Sequence, residues 1–489
     1  MALSRKHRLF RSLAMGVLAL LGIMVIKTLG YSSRQLAVPP VATFPVDPEV
    51  HERLASGLRF PTISLSPLDT QAFFALDTFL ERNYPLADSL LQRTTFSELS
   101  TLLRWPGKTS ALEPVLLLAH KDVVPPDSNS LDRWTFPPFS GKMSDQNIWG
   151  RGAIDDKGSL FAIMEAVETL LKEGYQPNRT LYFAFGHDEE TGGSEGAAVM
   201  ADWLKKQGIR FEYILDEGML LVEDGGGVVD QPLAVIGIAE KGMLTLQLQV
   251  NTSGGHSSRP PQETAVGILA AAIQRLQNNP FPASLDGATR LMLDHIGRES
   301  AFPTKMVFAN MWLTKKLVIG QLGQNPSTNA MIRTTIAPTI FKAGVKSNVL
   351  PATAEAHINF RILPGETPET VTQRVRSIIN DPRITITADA MEDNTPPSPV
   401  SPIETLGFRV IEKTIREIFP GTVVAPGLVI AGTDSKHYTD LGRGTYRFLP
   451  LALTNDELSQ FHGNDERISQ EDYANMIRFY RQLILNSCK

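Results

Sequence analysis

The sequence of 489 residues contains one cysteine, Cys488. A single thiol cannot close an internal disulfide, and it cannot build a thiolate metal site. Any metal must therefore be held by histidine and carboxylate. An excess of positive charge is also missing: 47 Lys and Arg stand against 52 Asp and Glu, for a net charge of −5. That balance gives no electrostatic footprint for nucleic acid, and no nucleic-acid partner is expected. Any membrane contact must then come from a local segment. The remainder is ordinary, 42% hydrophobic and 20% charged, which describes a folded globule. The length calls for two domains plus a tail.

The N-terminus is unlike the rest. Arg5, Lys6, His7, Arg8 and Arg11 precede an apolar run over 13–26 that ends at Lys27. Charge followed by an apolar run is the order of an export signal. Extended to Tyr31, with Lys27 snorkelling to the interface, the run becomes a workable membrane anchor of the roughly 20 residues a span needs. Gly30-Tyr31-Ser32 offers small residues but no clean Ala-x-Ala cleavage site. Residues 1–31 are therefore read as a signal anchor or signal peptide. In either case the positive-inside rule places the large C-terminal portion outside the cytoplasm, membrane-anchored if uncleaved and secreted or periplasmic if cleaved. A buried core helix is the plain alternative, and the one-sided basic cluster argues against it.

Residues 32–48, with Pro39, Pro40, Pro45 and Pro48, read as a linker. Over 49–242 short apolar strands (115–119, 181–185, 213–215) alternate with helical periodicity at 159–172 and 196–207. Apolar strands between helices imply an α/β domain of three αβα layers around a mostly parallel sheet. From 243 the pattern changes. Segments 244–250 and 354–362 alternate strictly, as half-buried antiparallel strands do, with helical stretches at 263–277 and 369–379. Residues 243–392 are expected to form an inserted α+β, ferredoxin-like lid. The first domain should resume over 393–489, with helices at 402–418 and 470–485.

Four clusters bearing His or carboxylate sit just after apolar strands or at a helix start. The first is His120-Lys121-Asp122. Residues two apart on a strand share a face, so Asp122 can orient the His120 imidazole and leave its other nitrogen for metal. Two polar residues ending a strand is an equally good reading in isolation. The second, Gly150-Arg151-Gly152-Ala153-Ile154-Asp155-Asp156-Lys157-Gly158, presents Asp155 at a helix start, where a simple N-cap would also serve. The third, His187-Asp188-Glu189-Glu190, packs three acids that repel unless a cation sits among them, or else is an acidic surface turn. The fourth, Asp216-Glu217-Gly218, closes the strand at 213–215, and alone it reads equally well as a functional cluster or as an ordinary acidic turn. Jointly they occupy the carboxyl ends of successive strands, where open α/β sheets build sites. Hard oxygen ligands with imidazole suit zinc, and manganese or cobalt also fit.

The segments WTFPPFSG…WGRGAIDDKG, FGHDEETGG, LDEG, GGHSSRP and a late FHGNDE, following His-x-Asp, resemble the zinc exopeptidase family of carboxypeptidase S, aminoacylase and glutamate carboxypeptidase. The carboxypeptidase S and secreted N-fatty-acyl-amino-acid hydrolase/synthase branch is the most similar, from about residue 50 onward. The resemblance implies two Zn2+ ions bridged by Asp155, one also bound by His120 and Asp216, the other by Glu190 and His462. It implies that Glu189 is the general base, that Asp122 orients His120, that the Asp155–Asp156 peptide is cis, and that His256 donates to the oxyanion. It further implies a substrate carboxylate on Arg361, helped by Asn348, beside a loop containing Gly432 and Thr433. His51, His295, His357 and His437 receive no task.

The expected activity is hydrolysis of a small peptide or an N-acyl amino acid with a free carboxylate. The fatty-acyl hydrolase/synthase is the narrower alternative. A catalytically silent, membrane-tethered binding protein is the reading from another class. The stretch 281–343 is longer than a minimal lid needs and carries the apolar segments KMVFANMWL and KLVIGQL. These could line an acyl pocket, and they leave open whether the lid forms a homodimer.

Overall fold

The computed structural model describes residues 5–390, 394–454 and 456–488, with side chains described from Phe10 onward. The three apolar strands are Val115–His120, Leu181–Gly186 and Tyr213–Asp216, buried along their whole length. Val115–His120 lies between the other two, parallel to both, and Thr445–Arg447 adds in parallel beside Tyr213–Asp216. Among the described residues the sheet holds ten strands. Gln92–Phe96 and Ser100–Trp105 extend one side antiparallel. On the other side Leu233–Glu240 crosses over antiparallel and pairs in parallel with Val423–Val429.

Alternation assigns the two faces. Val115, Leu117 and Ala119 join a core with the helices Lys157–Lys172, Leu406–Ile418 and Gln470–Ser487. Leu116 and Leu118 pack on the opposite face under Ala197–Lys206. This is the three-layer αβα arrangement, and it is mostly parallel at its centre.

The second unit is a four-stranded antiparallel sheet built from Gly242–Asn251, Thr335–Ala343, Thr353–Ile362 and Ile384–Ala388. Taken with helices Ala265–Asn278 and Pro368–Ile379, the chain order is βαββαβ, and the long strands Gly242–Asn251 and Thr353–Ile362 lie at the centre. This is the ferredoxin-like order. One sheet face (Leu244, Leu246, Leu248, Ala356, Ile358, Phe360) is sealed by the two helices, so the other carries the polar alternates, Arg361 among them.

Between the first lid helix and Thr335–Ala343 run four further helices, Gly287–Glu299, Phe302–Ala309, Met311–Leu322 and Pro326–Ile332. They pack on the ten-stranded sheet: Met292, Leu293, Ile296 and Val318 share a core with Leu233, Val235, Val423 and Ala425. The N-terminal helix Arg5–Leu29 contains a 20-residue stretch, Phe10–Leu29, apolar enough to cross a membrane and only 11% buried. That exposure excludes a core helix. Residues 32–48 lie along the body: Gln35 exchanges hydrogen bonds with the Val424 backbone, and Arg478 donates to the Phe44 carbonyl.

Candidate metal centre

Val115–His120 ends by sending His120 and Asp122 to one side and Lys121 to the other, where Lys121 Nζ meets Asp77 at 2.6 Å. His120 Nδ1 lies 3.3 Å from Asp122 Oδ1. Its Nε2 points into the cleft, 3.0 Å from Asp155 Oδ1 and 3.7 Å from Glu217 Oε1. Asp122 has a second task. Its oxygens also accept the backbone N–H groups of Glu189 and Glu190, and the Ser64 hydroxyl at 2.7 Å. One buried carboxylate thus fixes both an imidazole and the turn bearing two acids. Burial pulls its pKa up, but His120 above all, with Ser64 and the Glu190 N–H, holds it below the usual carboxylate range.

Asp155 sits in the loop before Lys157–Lys172, and its peptide to Asp156 is cis. Its two oxygens divide their neighbours: Oδ1 faces His120, while Oδ2 is 3.2 Å from His462 Nε2. His462 Nε2 also stands 3.4 Å from Glu190 Oε2. His462 arrives with φ +56, a left-handed conformation that costs a non-glycine residue about 1 to 3 kcal/mol. Buried Glu466 holds the arrangement. Its Oε1 accepts the N–H groups of Gly152, Ile154 and Asp155, and its Oε2 takes Arg151 Nη1 at 2.7 Å. Arg151 Nη2 then donates to the Gly463 carbonyl, closing a strut between the Asp155 and His462 loops.

The fourth cluster departs from expectation. Both Asp216 oxygens are occupied: Oδ1 accepts Glu217 N–H and Oδ2 accepts Ser435 N–H at 2.8 Å. Glu217 instead faces the cleft beside His120 and Asp155. Atoms of His120, Asp155 and Glu190, and separately of His120, Glu189 and Glu217, lie within 4.8 Å of one another.

The electrostatics show what the site wants. Among the described residues, the carboxylates of Asp155, Glu190 and Glu217 have only His120 and His462 as ion-pair partners. Burial and the neighbouring Asp155 push the Glu217 pKa up to about 8. Burial, together with Asp434, Glu217 and Glu190, pushes Glu189 well above the carboxylate range, with His120 pulling the other way. Nearby carboxylates and burial, with only imidazoles as counter-charge, form a set that divalent cations satisfy. The donor set fits, and Asp155 with one oxygen toward each histidine fits a bridging ligand.

Comparison with known proteins assigns the chain. The model of Peptidase family M20/M25/M40 matches residues 116–486. The chain belongs to this family. It is 39% identical over 98% of its length to the probable carboxypeptidase S-like 2 of Dictyostelium discoideum, covering 94% of that protein. It is 40% identical to the N-fatty-acyl-amino acid synthase/hydrolase PM20D1 of Xenopus tropicalis, covering 89% of this chain and 85% of that one. In structure it resembles the M20 family metallo-carboxypeptidase Sso-CP2 from Sulfolobus solfataricus, with TM-score 0.65, 19% identity and coverage of 90% and 99%. The M20 chain is thus a metallopeptidase-class hydrolase.

Asp155, Glu189, Glu190, Glu217 and His462 line one cleft of about 900 Å³ in this M20 enzyme, together with Arg361, Gly432 and Thr433. Arg361 lies opposite Met243 on the polar lid face, and burial alone depresses its pKa. Among the described residues no carboxylate pairs with it. The Thr433 hydroxyl is engaged, donating to Glu240 at 2.8 Å. Beneath it runs a fully buried pair, Arg447 to Glu240 at 2.8 Å, with Arg447 also donating to Ser435. The strut residues Arg151 and Glu466 and the pair Arg447–Glu240 were not singled out from sequence. A charged residue between glycines (Gly150-Arg151-Gly152) was the one visible signal.

His256 and Asn348 are together but elsewhere. His256 pairs with Val349 across a two-residue ladder on the lid, Ser257 N–H donates to the Asn348 carbonyl, and both His256 and Asn348 are exposed. Neither lines the cleft. The unassigned histidines are all tied down: His51 to the Gln470 carbonyl, His295 to Leu291, His437 to Gly192, and His357 to Glu355 and Asp389.

Proposed function

We propose that the cleft hydrolyses the amide bond of N-acyl amino acids whose acyl group is long and apolar. The free carboxylate would pair with Arg361, and the ligands would be His120, Asp155 and Glu217 for one metal and Asp155, Glu190 and His462 for the other. Glu217 thus replaces Asp216 in the set implied by resemblance. The observation that carries the reading is the cleft's composition. Carboxylates and the His462 imidazole line one part, a guanidinium with no carboxylate partner among the described residues another, and apolar side chains that include Met219, Leu220, Val222, Val235, Val429 and Phe461 a third.

Two divalent ions in that donor set, Zn2+ being the best match, would polarise the scissile carbonyl and acidify the attacking water. Every other step belongs to the chain. Glu189, with a raised pKa, accepts the water's proton and returns it to the leaving amine. Asp122 keeps His120 in one tautomer and holds the Glu189–Glu190 turn beneath the substrate. Arg361 offers a fork that matches a carboxylate bidentately and sets where the amide lies. The apolar wall takes the acyl chain and keeps water from it. His256, the proposed oxyanion donor, would come from the lid of a second copy, joined through the exposed edge strand Thr335–Ala343. The stretch Phe10–Leu29 is read as an uncleaved anchor holding the enzyme outside the cytoplasm.

The test is a series of N-acyl derivatives of one amino acid, from acetyl to oleoyl, alongside dipeptides. With about 0.8 kcal/mol per buried CH2 as the ceiling, kcat/KM should rise by up to about fourfold per methylene until the wall is filled. A flat series, or cleavage of dipeptides alone, would refute the acyl assignment. Chelator-resistant turnover would refute the metal mechanism.

A further inference from the structure

The helix Met311–Leu322 is apolar on both faces. Val318 is buried against the sheet, yet Trp312, Leu313 and Leu317 are 55, 48 and 65% exposed. At about 100° per residue, Leu313, Lys316, Leu317 and Gly320 fall on one outward stripe. Charge follows the same boundary. In a chain of net charge −5, residues 300–354 contain no Asp or Glu, and the stripe's one charge is Lys316; exposed Lys315 lies about 160° round the helix from Leu313.

The apolar N-terminal helix is fastened at this patch. Asn310 Nδ2 donates to the Met24 carbonyl at 3.2 Å and lies 3.4 Å from Thr28 Oγ1. The Lys27 ammonium stands 5.1 Å from the Trp312 ring centre. Just beyond, Tyr31 donates to Asp294 and carries the Arg298 guanidinium on its ring at 4.2 Å. The helix rises about 1.5 Å per residue, so contacts at Met24 and Thr28 set Asn310 roughly 2 to 8 Å inside its Leu29 end. That is close to the depth of about 5 to 10 Å at which interfacial helices lie. Trp beside Lys is the pairing that membrane interfaces favour.

We propose that Met311–Leu322 is an interfacial membrane-docking helix. It inserts Trp312, Leu313 and Leu317 into the headgroup layer of the bilayer that Phe10–Leu29 spans, with Lys316 at the phosphates. The catalytic body is then held against the membrane at two places. The proposal rests on the anchor reading, and the two can fail separately.

Cys488 is only 2% exposed, so an introduced surface thiol takes label selectively. Full-length L317C and, as control, V345C on the lid (98% exposed in the native residue) are labelled with an environment-sensitive fluorophore. They are reconstituted in phosphatidylcholine–phosphatidylserine vesicles containing shallow spin-labelled lipid. Quenching several-fold stronger at 317 than at 345 supports docking. Equal quenching in a chain that stays integral overturns it and leaves the anchor standing. If the chain is instead released in processed form, the anchor reading fails. Flotation of the released enzyme with the same vesicles then decides: loss of flotation in L313D/L317D supports docking, and no flotation of the unsubstituted enzyme overturns it. Equal flotation of the released L313D/L317D and released unsubstituted enzyme also overturns it.

Discussion

Glu189 and Glu190 are consecutive, yet Glu189 faces His120 and Glu217 while Glu190 reaches His462, because Asp122 accepts both of their backbone N–H groups and fixes the turn. Glu189→Gln should therefore keep its metal content and lose about 10²- to 10⁴-fold in kcat, read by metal analysis beside steady-state kinetics. Asp216 and Glu217 show what sequence cannot say. At a strand end, neighbouring side chains leave in different directions, and the motif does not tell which one enters the cleft. The structure does: Ser435 N–H occupies Asp216, and Glu217 stands beside His120. Glu217→Ala should lower bound metal below the wild-type ratio, whereas Asp216→Asn should retain it. Equal loss in both would return the ligand role to Asp216. Lys241 gives a stability prediction. Burial and then nearby Arg361 lower its pKa from 10.5 to about 7. Between those values the unfolded chain binds a proton that the folded chain does not, so this group makes stability rise with pH from 7 to 10.5. Below pH 7 its penalty is constant. In Lys241→Met, denaturation across that window should show a shallower rise.

At the scale of elements, the catalytic strands were legible because each is a short apolar run followed by charge, and parallel strands buried on both faces have no other way to look. The helix expected over 402–418 begins at Leu406, with Thr405 at its cap, since the preceding Ser401 is spent bonding to Thr445. The strands Gln92–Phe96 and Ser100–Trp105 form a local hairpin, and its place in the sheet is not legible in sequence because Ser100–Trp105 is seated on Leu181–Gly186, far along the chain. The strut of Glu466 was equally hidden, since Arg151 and Glu466 are joined only by folding. Gly158 shows how tightly the Asp155 loop is seated: a Cβ there would lie 2.4 Å from the Ala153 carbonyl oxygen. Gly158→Ala should force the loop aside, costing about 1 to 3 kcal/mol in denaturant unfolding and weakening metal retention. Breaking the strut by Glu466→Ala strands a buried guanidinium and should cost about 3 to 5 kcal/mol, with both metals loosened together.

At the scale of the whole molecule, the lid's polar face brings Arg361 to the cleft while His256 and Asn348 remain on its exposed rim. If a second copy supplies His256, two dead variants should repair one another. Mixing Glu189→Gln with His256→Ala and allowing subunits to exchange should restore about a quarter of wild-type turnover, since half of random dimers are mixed and each holds one intact site. No restoration would mean that the lid serves its own subunit. The strut has a further meaning in the order in which the chain is made. His120, Asp155, Glu190 and Glu217 are synthesised long before His462 and Glu466. A growing chain therefore carries half a site, without the second histidine and without the carboxylate that secures Asp155. On the proposed ligand set, hydrolytic capacity would arise only after His462 and Glu466 have been made and folded back, long after Glu217, so such an enzyme could not act on its neighbours before then.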